Sequence, residues 1–320
     1  MIEYEKTVEL EVLSLLALSD LKGVGFETIK SISRDQIKFS SFFNYSQNDK
    51  LLNPSLIKPS YKHIMNSLEL NNAKSDGLYS ARKTLEYLNN NNITVLFPDS
   101  PYYPCQLFDL KERPPWLFVQ GNVDVLSRPA ITAVGSRKIS NDGIWLSKFL
   151  GYSLKELNAV TVSGLAEGVD QIIHRTSLKA GLPTIAVLGT GVLSDYPRGS
   201  EFLRKDIISN GGAVVTEYLP NDSYSAKNFV RRNRIQAALG KTVIPVQWSI
   251  KSGTAHTVKF AFSMKRPLVF VRTPFQENFD WLPSEYRAFG SLFTLPQDQQ
   301  SFTDTITKQL AFKETQRTLI

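Results

Sequence analysis

The sequence predicts an α/β fold: an extended parallel sheet with helices on both faces, preceded by a small helical domain. Two observations carry this. From Ala130 onward, short apolar, β-branched runs alternate with helical stretches, the pattern of strand–helix–strand units whose sheet is covered on both sides. Before Asn92 the apolar residues recur at helical spacing instead. A chain of 320 residues also leaves room for about two domains.

Residues 1–92 form the helical domain. Leu10, Leu13, Leu16 and Ala17 share one helical face, the run Leu21-Lys22-Gly23-Val24-Gly25 interrupts, and Phe26, Ile29 and Ile32 resume the pattern. This is a helix–hairpin–helix-like unit. Its hairpin amides can meet a phosphate, or it is a tight helical hairpin that packs two apolar faces; both readings stay open. Short helices are expected around 46–53 and 60–71, and a longer one over 76–91 that ends in Asn89 to Asn92. Asparagine tolerates the left-handed conformation that closes helices. Residues 93–127 read as a proline-rich linker and approach segment with strands at 93–97 and 116–119.

The main domain is expected over 128–272. Its strands are read at 130–134, 159–162, 184–188, 213–217, 242–247 and 268–271, with helices at 141–157, 167–180, 200–210, 229–239 and 254–264. Residues 273–320 read as a C-terminal extension without a clear winged helix, carrying Phe275, Phe279 and Trp281 and then a helix over 302–313. Right-handed crossovers place the turns that follow the strands along one edge, where such sheets bind ligands.

Charge points to the kind of ligand. The net charge is +7, but residues 128–272 carry +11 while the flanking segments carry −2 each. A basic segment with phosphate-sized turns suits a polyanion. The single cysteine, Cys105, forms no internal disulfide and reads as a small buried side chain in a cytoplasmic protein. The first residues, MIEYEKTVELEV, lack the basic start of a signal peptide, and no apolar run approaches the ~20 residues of a membrane helix.

Several motifs can contact phosphate. Gly135-Ser136-Arg137 follows the first strand of the main domain: glycine admits close backbone approach, serine donates, and arginine binds two oxygens at once. Its alternative is an Arg137 paired to a carboxylate. Ser163-Gly164 closes the next strand in the same way, so the two turns should converge, with amides after Gly135, Ser163 and Ser252 positioning phosphates. Arg231-Arg232-Asn233-Arg234 crowds three arginines at a helix start, which calls for phosphates or for neighbouring carboxylates. Lys179 ends a helix, where it meets a phosphate or the helix dipole. Ser252-Gly253-Thr254 opens another helix. Asp170 and His174 stand four apart on one helical face; a structural histidine is preferred over an acid–base pair. His63 and His256 lack partners at ligand spacing, so no metal or cofactor is expected.

SGLAEGVD from Ser163, His174, TIAVLGTG, Tyr196-Pro197, Gly135-Ser136-Arg137, FVRRNRI from Phe229 and Ser252-Gly253-Thr254 together resemble the DNA-processing protein A (DprA/Smf) family of the Rossmann-like SLOG superfamily. The resemblance covers roughly Pro101 to Val271. It implies a non-catalytic, homodimeric protein that holds single-stranded DNA in the groove where the turns converge. It also implies help in loading the recombinase RecA in transformation or recombination. A nucleotide sensor or a phosphoribohydrolase-like enzyme of the same fold is the alternative, but no Pro-Gly-Gly turn is present. Two positions depart from the family pattern: Val230 stands where a proline is usual and Gln247 where a glutamate is usual.

Overall fold

A computed structural model describes residues 2–43, 61–69, 73–276 and 279–311. The chain divides into two compact units, Met1–Val95 and Leu96–Ile320.

In the first unit, α1 (Ile2–Ser19) and α2 (Phe26–Arg34) are joined by the expected turn, and α3 (Lys62–Glu69) and α4 (Ala73–Asn90) follow. Leu13, Leu16 and Ala17 of α1 and Ile29 and Ile32 of α2 are buried, while Leu10 sits at the rim. Gly23 has φ of 84° and Asn92 has φ of 54°, so the hairpin and the end of α4 use residues that tolerate left-handed backbone. The Glu11 carboxylate accepts from the amides of Phe39 (2.8 Å) and Ser40 (3.2 Å) and so fastens the 3-10 turn Phe39–Phe42 onto α1. The helix expected at 46–53 lies outside the described residues. The division between units falls inside β1 (Ile93–Leu96).

The second unit alternates as the sequence predicts: β2 (Leu117–Gly121), β3 (Ala130–Gly135), α5 (Asn141–Ser153), β4 (Val160–Ser163), α6 (Val169–Lys179), β5 (Thr184–Val187), α7 (Glu201–Ser209), β6 (Ala213–Thr216), α8 (Ala226–Leu239), β7 (Thr242–Val246) and α9 (Gly253–Ser263). Its strands lie in the order β2-β6-β5-β4-β3-β7. Strands β3 to β7 pair in parallel. Ile131, Ala133, Ile244 and Val246 pack under α5 and α6, with Leu146, Leu150, Val169 and Ile173. On the other face Val160, Val162, Ile185 and Val187 meet Ile235, Ala238 and Leu239 of α8. Alternate strand residues thus serve opposite layers, the period-two geometry of a strand buried on both sides.

Three expectations change. The strand read inside the approach segment is part of the main sheet: β2 pairs antiparallel with β6, and Trp116, Leu117, Phe118 and Val119 are fully buried. The run at 268–271 leaves the main sheet: β8 (Val269–Arg272) pairs in parallel with β9 (Ser291–Thr294) and meets β7 through the bridge Val243–Leu268. Between them lies α10 (Ser284–Phe289), and α11 (Gln299–Ala311) buries Phe302 and Ile306 in the α5/α6 layer. Cys105 is exposed rather than buried. It opens a 3-10 turn whose inward residues are Gln106 and Leu107.

If β2 is integral to the core, Leu117→Ala should lower the unfolding free energy by about 2–5 kcal/mol, the usual result of truncating a fully buried leucine. Urea denaturation followed by circular dichroism measures this; a change within about 0.5 kcal/mol would assign the segment to the periphery.

Candidate nucleic-acid interface

Parallel strands deliver their following turns to one edge, and two buried side chains, Asp170 and Arg232, organise the turns there through hydrogen bonds to the backbone. Asp170, in the first turn of α6, accepts from the amide of Gly135 at the end of β3 (3.4 Å) and from that of Gly164 after β4 (3.1 Å). Arg232 of α8 lies opposite. Its Nη1 donates to the carbonyl oxygens of Gly164 (2.8 Å) and Val187, and its Nε donates to Asn233 Oδ1 (3.2 Å). Asn233 Nδ2 donates to Gly253 O (3.1 Å) at the start of α9. Burial pushes the Asp170 carboxyl up, opposed by Arg232 and the two amides. Burial pushes Arg232 down to about 10, opposed by Asp170, so the guanidinium remains charged at neutral pH.

This corrects the expected amide cradle. The Gly164 amide serves Asp170, and the Ser136 amide donates to Gln247 O (3.1 Å). The Ser163 hydroxyl is buried and donates to Ala133 O (2.7 Å), while Ser136 Oγ donates to Lys138 O (2.5 Å). At these two turns the amides serve the chain itself, and side chains face the cleft.

Those side chains line a cleft at the ends of β3, β4 and β5, formed by Arg137, Gly164, Glu167, Gly189, Tyr196, Phe229 and Arg232 among others. Arg137 is exposed, and no carboxylate pairs with it among the described residues. Its guanidinium carbon lies 5.2 Å from the centre of the Phe229 ring, and that of Arg232 lies 5.9 Å away. Tyr196 packs on Phe229 at 5.2 Å and stacks on Tyr224 at 4.7 Å with 25° between planes. Tyr224 is 61% exposed. A Cβ on Gly189 would fall 2.4 Å from the Phe229 ring, so glycine is what lets the ring lie against this loop. Cations beside an aromatic wall are the usual equipment for a flexible strand: charge tracks phosphates and rings stack on bases. Tyr224 had no signal in the sequence, and the convergence of Tyr196 with Phe229 depends on loops far apart along the chain.

The other predicted residues fall elsewhere. Arg234 is buried and bidentate to Glu217 (2.5 and 2.7 Å), with Nε donating to Glu112 O (2.8 Å); Arg231 Nε lies 3.7 Å from the same carboxylate. Carboxylate pairing, the alternative for the arginine cluster, therefore describes Arg234. Lys179 is exposed at the C-terminal end of α6, about 16 Å along the helix from the carboxyl edge, because α6 runs away from that edge. Ser252 Oγ donates to Ser249 O (2.6 Å), Gly253 is tied to Asn233, and Thr254 is buried; none of the three lines the cleft. Gln247 Oε1 accepts from the Ser140 amide (2.9 Å) and hydroxyl (3.2 Å) at the start of α5. His174 is buried in the core with Nδ1 2.7 Å from Thr184 Oγ1, and burial pushes it down to about 3.

Residues 75–280 match the family described as DNA recombination-mediator protein A. The chain belongs to this family. It is 32% identical over 195 residues to protein Smf of Escherichia coli, covering 61% of this chain and 52% of that protein. It is 37% identical over 164 residues to DNA processing protein DprA of Streptococcus pneumoniae, covering 51% and 57%. The chain thus spans about half the length of the curated relatives it matches. The crystal structure of the S. pneumoniae protein superposes with a TM-score of 0.59 at 23% identity, over 94% of this chain and 97% of the other. That of Helicobacter pylori DNA processing protein A, described for its single-stranded DNA binding mode, gives 0.58 at 25% identity, over 68% and 96%. No described helix is long and apolar enough to cross a membrane.

The buried groups predict two outcomes. The unfolded chain protonates His174 near pH 6.5 while the fold holds it neutral to about 3, so its contribution to stability is lost as pH falls through that window. Urea midpoints against pH should fall less steeply between 6 and 4 in His174→Gln, among variants that fold. Arg234→Ala leaves Glu217 buried without its main partner, which should cost about 3–5 kcal/mol by the same measurement.

Proposed function

We propose that this protein binds single-stranded DNA in the cleft between Arg137 and the aromatic wall of Phe229, Tyr196 and Tyr224. The observation that carries the reading is an exposed arginine, free of carboxylates among the described residues, held over an aromatic ring at the carboxyl edge of the segment that carries +11. Arg137 neutralises phosphate and the rings take bases. Arg232 contributes its charge from beneath while it holds the turns together. Membership of the DNA recombination-mediator family and the likeness to the H. pylori DNA-binding protein support the same reading. In keeping with the family resemblance, the protein acts in the cytoplasm as a homodimer that helps load RecA onto DNA in transformation or recombination. A binding role rather than an enzymatic one is supported by the state of Asp170 and His174: both are buried and engaged in internal hydrogen bonds.

Fluorescence anisotropy with matched oligonucleotides tests this. Single strands should bind more tightly than duplex. Arg137→Ala should weaken binding alike for all sequences, since phosphates carry no base identity. It should also lower the slope of log affinity against log salt by roughly 0.7 for each phosphate left without its cation. Its fold should be retained, with a stability change within about 0.5 kcal/mol. Arg232→Ala should instead lose about 1–3 kcal/mol of stability, because the buried carbonyls of Gly164 and Val187 lose their donor. Equal or tighter duplex binding, or parental affinity of Arg137→Ala at every salt concentration, would move the site elsewhere.

A further inference from the structure

We propose that Glu167 makes the cleft selective among nucleobases, favouring those that present an exocyclic amine, cytosine over thymine. The inference rests on the single-strand reading above and adds to it which base the site prefers. An acid in an anion-binding cleft needs a reason. Glu167 is exposed and lines the same cleft as Arg137, Arg232 and Tyr196. No hydrogen bond or ion pair engages its carboxylate among the described residues. Its position is held firmly. The following residue, Gly168, has φ of 82°, and a Cβ there would fall 2.4 Å from Ser136 O; Val169 N donates to that same oxygen at 3.2 Å. The Glu167 backbone is thus pinned against the Gly135-Ser136-Arg137 turn.

The charges divide the cleft. A phosphate is drawn to Arg137 and repelled by Glu167, so the strand enters with its backbone on the arginine side and turns a base toward the glutamate. The aromatic wall accepts the face of any base and does not discriminate. An ionised carboxylate only accepts hydrogen bonds. Cytosine offers it the N4 amine, whereas thymine offers the O4 carbonyl and a methyl group on that edge. The amine gains a charge-assisted hydrogen bond, and the carbonyl meets repulsion.

The test compares oligo(dC) with oligo(dT) of equal length, titrated into the parent, Glu167→Ala and Glu167→Gln by fluorescence anisotropy. The exposed position leaves both variants folded, which circular dichroism verifies. The parent should prefer oligo(dC) by about fivefold, the lower end of what one base contact discriminates. In both variants the ratio should fall toward one, mainly through weaker oligo(dC) binding. A ratio unchanged by either substitution would overturn the proposal. So would an equal gain in affinity for both oligonucleotides, which would make Glu167 a general electrostatic brake. If the parent binds neither oligonucleotide, the single-strand reading itself fails; if it binds both equally, only the base preference fails.

Discussion

The carboxyl edge of this sheet depends on the hydrogen bonds that two buried side chains, Asp170 and Arg232, make to the backbone of its turns. Either polar group would be costly in the interior without hydrogen-bond partners. Together they satisfy backbone groups of three turns: the amides of Gly135 and Gly164 donate to Asp170, and the carbonyls of Gly164 and Val187 accept from Arg232. Asn233 extends the tie to α9. The turns after β3, β4 and β5 are therefore fixed relative to one another before any ligand arrives. A ligand that meets a preorganised edge loses less free energy to ordering than one that must assemble it.

The arginines of the RRNR run divide between two tasks. Arg234 and Arg231 gather around Glu217, and Arg232 donates to Gly164 O and Val187 O, so the run mainly fastens α8 to the sheet. At the cleft the exposed cation is Arg137, on a different strand turn. A high positive count in one segment locates a basic surface only after the internal pairs are set aside. What remains outside is the part that a polyanion can feel.

Much of the fold was legible because strand and helix periods differ plainly from Ala130 to Ser263. The hairpin at Gly23 and the left-handed Asn92 were readable for the same local reason. β2 was legible as a strand but not as a member of the main sheet, because its antiparallel partner β6 lies far downstream and nothing local names it. β8 was likewise read correctly as a strand but placed in the wrong sheet, since its mate β9 offers only Ser-Leu-Phe-Thr, a weak signal. Arg137 and Gly164, which the sequence places in turns after strands, both line the proposed cleft. The use of the amides was not legible, because nothing in a sequence tells whether a buried aspartate in the first turn of a helix points back at the loop that precedes it. Lys179 lies in the last turn of α6, where it suits the helix dipole, because a helix that begins at one edge of a parallel sheet ends at the other.

The segment ahead of β3 is bound to the body by side chains as well as by strand pairing. Glu112 O accepts from Arg234, Asp109 pairs with Arg266 at 3.1 Å, and the Tyr103 hydroxyl closes the segment on Pro114 O. β2 itself lies along β6, whose amides and carbonyls it occupies. A fragment trimmed to begin at Ala130 would keep every parallel strand yet bare the flank of β6, a short run of Ala-Val-Val-Thr. An uncovered apolar strand is a template for other chains, so such a fragment should associate edge to edge more readily than a piece that keeps β2.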